Sequence, residues 1–164
     1  MIKILLLSDT HNFLDEKIFK YAESCDQIWH AGDIGTVAIC NQLRRHKPIV
    51  AVYGNIDGQD IRKDYPSRHR FKCEGVDVLM THIGGSPGRY NPEIRNSFLV
   101  KPPKLFICGH SHICKVMFDK KYNMLYMNPG AAGNYGSHKV KTLLRFSISG
   151  NDIKDLEVIE IGKL

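Results

Sequence analysis

The chain has 164 residues, with 23 Lys and Arg against 17 Asp and Glu for a formal net charge of +6; 43% of residues are hydrophobic and 24% charged. That composition excludes a disordered or fibrous chain and predicts one domain over residues 1–164, long enough to bury roughly 70% of its unfolded surface. No segment approaches the ~20 apolar residues of a membrane helix, and five cysteines without a C-x-x-C pair predict reduced thiols, a cytoplasmic location and no membrane partner.

Lys3–Leu7 is a nearly continuous apolar run, the pattern of a strand covered on both faces, and it ends in the polar turn Ser8-Asp9-Thr10-His11. Asp15–Ser24 is predicted as a helix. Gln27–His30 is a second strand, running into Ala31-Gly32-Asp33, and Thr36–Arg45 a second helix. Pro48–Tyr53 is a third strand, ending in Gly54-Asn55-Ile56-Asp57. Such alternation predicts right-handed crossovers and a parallel sheet, with ligands beyond the carboxyl ends of its strands.

After that the pattern changes. Arg68–Glu74 and Val76–Thr81 read as a hairpin that delivers His82, and Ile83–Pro92 as a glycine- and proline-rich loop carrying Arg89 and Tyr90. Pro92–Leu99 is a short helix and Lys104–Cys108 a strand running into Gly109-His110-Ser111-His112. Lys115–Asp119 with Met124–Met127, and Val140–Ser147 with Ile153–Ile161, form two more hairpins. The expectation is therefore an α/β fold with a parallel N-terminal half and an antiparallel C-terminal half.

Asp9, His11, Asp33, Asn55, His82, His110 and His112 each follow an apolar strand. Taken singly, the two aspartates are turn or cap residues, Asn55 a turn residue and His82 a core histidine. Together they form a ligand set from five parts of the chain. One ion takes Asp9, His11 and His112; a second takes Asn55, His82 and His110; Asp33 has two oxygens with which to bridge them. Mixed imidazole and carboxylate donors favour manganese, iron, nickel or zinc over magnesium or calcium, with manganese placed first. Such an ion pair lowers the pKa of bound water to ~7 and clamps a phosphoryl group.

Other chemistries fail on the letters. There is no phosphate-binding loop of the G-x-x-x-x-G-K-[ST] or G-x-G-x-x-G kind. Gly84-Gly85-Ser86-Pro87-Gly88 matches the serine-hydrolase elbow, but Pro87 lacks the N–H that an oxyanion hole needs there. The basic residues are scattered rather than arrayed on one stripe, which leaves a nucleic-acid partner open.

Asp9-x-His11, Gly32-Asp33, Gly54-Asn55-x-Asp57, His82 and Gly109-His110-x-His112 resemble, in this order, the motifs of the calcineurin-like metallophosphoesterases. The chain is similar to their small bacterial and archaeal phosphodiesterase branch from Met1 to about Arg145. The resemblance implies a four-layer αββα sandwich, a dinuclear site at the loop ends and Asp33 as the bridge. It implies a metal-dependent phosphodiesterase acting on a small phosphodiester through metal-activated hydroxide, with Asp33, Asn55, His82 and Asp57 as the catalytic set. Asp57 either orients a ligand or closes a turn. The alternatives are an interaction scaffold of the same fold and a nuclease; a homo-oligomer is compatible with each. Two positions depart from the family: Ile56 stands where many members have a histidine, and Ile83 where glycine is usual. His30 either buttresses the site or is simply buried at its strand end, and Asn128 is expected to hold neighbouring loops. His46, His69 and His138 are expected at the surface.

Overall fold

Strand β1 (Ile2–Leu7) sends Leu5 and Leu7 to one side and Ile4 and Leu6 to the other, and all four are fully buried. The computed structural model, which describes all 164 residues, builds the fold outward from that alternation. Leu5 and Leu7 pack with Ile18 and Ala22 of α1 (Lys17–Ala22) and with Cys40 and Leu43 of α2 (Val37–His46). Ile4 and Leu6 face a second sheet, where Val78 and Met80 of β5 (Val76–Thr81) and Leu105 and Ile107 of β6 (Leu105–Ile107) meet them. The opposite-facing residues of that sheet, Leu79 and Phe106, pack on Ile94 and Phe98 of α4 (Pro92–Val100). Period-two alternation in two stacked sheets thus yields four layers. Each buried Leu or Ile contributes about 1.5–3 kcal/mol relative to an exposed one, which is why the strands tolerate so few polar letters.

The remaining elements are β2 (Gln27–His30), β3 (Ile49–Ala51), α3 (Gln59–Arg62), β4 (Arg68–Cys73), β7 (Cys114–Asp119), β8 (Met124–Pro129), β9 (Val140–Ser149) and β10 (Asp152–Lys163). The first sheet runs β10-β9-β1-β2-β3 and the second β4-β5-β6-β8-β7. In the first, β1, β2 and β3 are parallel, with Leu7 opposite His30 and His30 opposite Ala51. Their carboxyl ends are therefore level.

The α/β sandwich is as expected, but its division into halves is corrected. β5, β6 and β8 are mutually parallel, and antiparallel pairing is confined to β4–β5 and β7–β8 in this sheet. The helix α4 is a crossover between β5 and β6, and β7 passes to the sheet edge before β8 returns to the centre. The last hairpin joins the first sheet, β9 pairing antiparallel with β1. The turn Gln59–Arg62 is helical, and α1 begins only at Lys17, because Asp15 is used to accept the Lys17 N–H. No helix is long and apolar enough to cross a membrane.

Candidate metal centre

Backbone contacts between strand ends bring the polar turns together. The Asp9 N–H donates to Gly32 O over 2.9 Å, His11 N–H to Asp33 O over 3.1 Å, and Gly109 N–H to His82 O over 3.0 Å. Two glycines permit the close approach. A Cβ on Gly54 would lie 2.1 Å from Asp33 Oδ1, and one on Gly109 would lie 2.2 Å from Ser8 Oγ. Glycine in each motif thus makes room for a residue of another.

The backbone is turned sharply at the candidate ligands. Asp9, His11, Asp33, His110 and His112 have φ of 55°, 45°, 55°, 72° and 63°, the left-handed region that costs an L-residue about 1 kcal/mol or more. Only a network that holds the loops from several sides keeps five such residues in place.

Two groups of donors result: Asp9, His11 and His112, and Asp33, His82 and His110. Asp9 Oδ2 accepts from Ser8 Oγ at 2.6 Å and from the His110 N–H at 3.1 Å. Its Oδ1 is left facing His112 Nε2 at 3.1 Å, His11 Nε2 at 3.7 Å and His82 Nε2 at 3.8 Å. Asp33 is split the same way. Its Oδ1 accepts the Ile56 N–H at 3.1 Å, while Oδ2 lies 3.4 Å from His11 Nε2 and 3.2 Å from His82 Nε2. One carboxylate oxygen thus sits between imidazoles of the two groups. His82 donates Nδ1–H to Ala31 O over 2.8 Å, leaving the Nε2 lone pair free.

Asp9 Oδ1, His11 Nε2 and His82 Nε2 are buried without a hydrogen-bond partner. Each unsatisfied buried group costs about 1–3 kcal/mol, and a single ligand accepted by all three would offset that cost. Divalent cations fit: the donors are imidazole nitrogens and carboxylate oxygens, with no thiolate among them. The electrostatics agree. Burial pushes the Asp9 carboxyl up, but His11 and His112 outweigh it and hold the group well below the usual range. Burial likewise opposes ionisation of Asp33, and His82 reverses it.

The other predicted residues take distinct places. Asn55 is exposed beside Gly54 and shares with His82 the wall of a cleft of about 280 Å³. The carboxylate of Asp57 is fully engaged by backbone, accepting the N–H groups of Ile34 (3.1 Å), Gly35 (2.9 Å) and Gly54 (2.8 Å). It ties the Asp33 loop to the Asn55 loop and does not face the donor groups. His30 Nδ1 accepts the Gly32 N–H at 3.1 Å, so Nε2 carries the proton and donates to Thr10 Oγ1 at 3.0 Å. Burial lowers its pKa to about 4 and keeps it neutral. Asn128 Nδ2 donates to Gly109 O and Ser111 Oγ, both at 3.1 Å, and Oδ1 accepts the Gly130 N–H at 3.0 Å. It fixes the turn that carries His110 and His112. Ile56 and Ile83 point their side chains outward, 46% and 37% exposed. Arg89 is exposed, whereas Tyr90 is buried and donates to Asp119 Oδ2 at 2.6 Å. No helix begins after Ser86 until Pro92, so the Gly84–Gly88 stretch is a loop.

Sequence reasoning missed three neighbours. Ser8, next to Asp9, orients that carboxylate. Tyr135 lays its ring 4.8 Å from His11, centroid to centroid. His138, expected at the surface, is half-buried and meets the His112 ring edge-on at 5.2 Å. Its Nε2–H donates to Gly133 O over 2.8 Å, and its Nδ1 is buried without a partner. Tyr135 and His138 belong to a turn-rich stretch after Gly130, whose letters carry no spacing rule that links them to the strand ends.

Comparison with known proteins gives the same direction. Residues 2–151 match the family profile described as the calcineurin-like phosphoesterase superfamily domain. A probable metallophosphoesterase of Mycoplasma pneumoniae is 27% identical over 165 residues, covering 95% of this chain and 96% of its own. Among solved structures, one described as a novel archaeal phosphodiesterase superposes with a TM-score of 0.75 at 20% identity, covering 96% of this chain and all of its own. Vps29 of Chaetomium thermophilum superposes with a TM-score of 0.76 at 14% identity, over the whole of both chains. These structures share the fold.

Proposed function

Because the chain belongs to the calcineurin-like phosphoesterase superfamily, a family that depends on metal ions, we propose that it is a phosphodiesterase with two divalent ions, manganese foremost. The observation that carries this reading is the convergence of three orphaned donors: His11 Nε2 and His82 Nε2 lie 3.4 and 3.2 Å from Asp33 Oδ2, and Asp9 Oδ1 faces the same two nitrogens at 3.7 and 3.8 Å. When bound, an ion pair supplies Lewis acidity toward a phosphoryl group and a water that ionises near neutral pH.

The chain's own residues do the rest. Asp9, His11 and His112 would hold one ion and His82, His110 and Asn55 the other, with Asp33 placed to serve both. Ser8 and the His110 N–H aim Asp9, and the Ile56 N–H aims Asp33. Asp57 and Asn128 are positioning residues, acting through the loops they tie. Two carboxylates do not neutralise two divalent cations, so the centre attracts an anionic diester. Hydrolysis forms one P–O bond to water, breaks one P–O ester bond and leaves a proton on the departing oxygen. Ile56 offers no proton at the position where many family members have histidine, so the reading favours diesters with good leaving groups. Five free cysteines fit a reducing, cytoplasmic setting. A docking role alone would not require orphaned donors or a left-handed backbone at five of the seven proposed ligands.

The test is elemental analysis of the purified protein, followed by turnover of bis(p-nitrophenyl) phosphate with Mn²⁺, Fe²⁺, Ni²⁺ and Zn²⁺. Bound metal with turnover supports the reading. A metal-loaded protein inert toward the diester refutes phosphodiesterase activity.

A further inference from the structure

Beside His110 opens a cavity of about 510 Å³ that contains no carboxylate. Its cations are Arg89, from the loop before α4, and Lys115, from β7. The cationic side chains paired elsewhere in the fold are Arg70 with Asp77, Lys141 with Asp15 and Arg145 with Glu157. Arg89 and Lys115 have no such partner. Lys115 is half-buried, so its stem packs along the cavity wall and its ammonium is unpaired at the cavity.

Hydroxyls add to the positive charge. Ser111 Oγ accepts from Asn128 Nδ2 at 3.1 Å and from the Ile113 N–H at 3.2 Å. Both bonds use its lone pairs, so its own O–H is left to donate into the cavity. Ser86 also lines the space. Two exposed isoleucines, Ile83 at 37% and Ile113 at 64%, supply apolar walls. Lys115 sits on a paired strand, opposite Asn128 of β8, so its Cα is fixed relative to His110. Arg89 rides on a loop.

From this geometry we infer a second anion subsite: the cavity binds a phosphate carried on one ester arm of the substrate, through Lys115, Arg89 and the Ser111 hydroxyl. The substrate class is a small diester bearing an additional phosphate, with a ring or chain between the two phosphates that lies against Ile83 and Ile113. The inference rests on the proposed metal-dependent diesterase, since the scissile phosphate is placed at His110 and its partners.

The test uses stable ligands, so it needs no turnover. Thymidine 3′,5′-bisphosphate and thymidine 5′-monophosphate are titrated calorimetrically into the Mn²⁺-loaded protein, with metal content measured on the same sample. The bisphosphate is expected to bind at least roughly tenfold tighter, the scale of a charge-assisted hydrogen bond. Lys115→Met, which keeps the apolar stem, is expected to bring the two affinities together, and Lys115→Arg to retain the preference. Equal affinities in the unaltered protein, or a preference surviving in Lys115→Met, overturn the subsite. Failure to take up metal would instead refute the diesterase reading, and the metal analysis tells the two apart.

Discussion

The backbone N–H of His110 donates to the carboxylate of Asp9 across 3.1 Å. One residue belongs to each donor group, so the two groups share a strut. Moving either loop disturbs both.

Asp33→Ala removes the oxygen that lies between His11 and His82. Metal content is expected to fall from two ions per chain to one or none, and turnover by at least ~100-fold. Elemental analysis and diester hydrolysis on one preparation check this. Two retained ions would remove Asp33 from the bridging role.

His138→Ala leaves His112 without its edge-on neighbour. Affinity for the ion proposed at Asp9, His11 and His112 is expected to drop by a factor of a few, because the His112 ring loses the neighbour packed against it. Competitive titration against a chelating dye reads the change. An unaltered affinity would mean that His138 does not steady the His112 ring.

Asp57→Ala strands three backbone N–H groups, those of Ile34, Gly35 and Gly54. At about 1–3 kcal/mol for an unsatisfied buried donor, with water relieving part of it, the expected loss is about 2–4 kcal/mol. Urea unfolding of the metal-free protein measures it. A loss below 1 kcal/mol, by the same scale, would mean the loops hold without this clip.

Ile56→His places an imidazole where the wider family often has one. Alkyl diesters, whose leaving oxygens need a proton, are expected to gain up to ~100-fold, and activated aryl diesters far less. The ratio of the two rates is the measurement, and an equal gain in both would point away from proton donation.

Metal loading should depend on pH with a definite sign. Burial lowers the His82 pKa, but Asp33 and Asp9 outweigh it and hold it above the ordinary histidine value. A raised histidine stabilises the metal-free fold fully below about pH 6.5 and loses that contribution as pH rises through its folded value. Asp9 and Asp33 have lowered values and stabilise above about pH 4, losing this as acid is added. In the interval between, the proton on His82 competes with a cation. The rise in melting temperature on adding Mn²⁺ is therefore expected to be small near pH 5.5 and to grow toward about pH 8. A shift independent of pH would contradict the assignment of His82 as a ligand.

Much of the centre was legible because each ligand follows a short apolar strand, and parallel strands end at one level. Asp9 and His30 could be placed at strand ends from hydrophobic runs alone. The parallel pairing of β6 with β8 could not, because a hairpin signal at Lys115–Met127 says nothing about which neighbour β8 takes next. His138 and Tyr135 were hidden for a related reason: they reach His112 and His11 from a loop, and loops obey no period. Asp57 was visible as a polar turn residue, but only coordinates distinguish a carboxylate aimed at cations from one consumed by three amides.

The left-handed turns at Asp9, His11, Asp33, His110 and His112 set chemistry against foldability. At these positions glycine, which accepts such torsions freely, is expected to yield a hardier protein than alanine. A descendant released from chemical duty would gain robustness by drifting toward glycine and asparagine there. Loss of those side chains would thus relieve backbone strain while removing the donor atoms they carry.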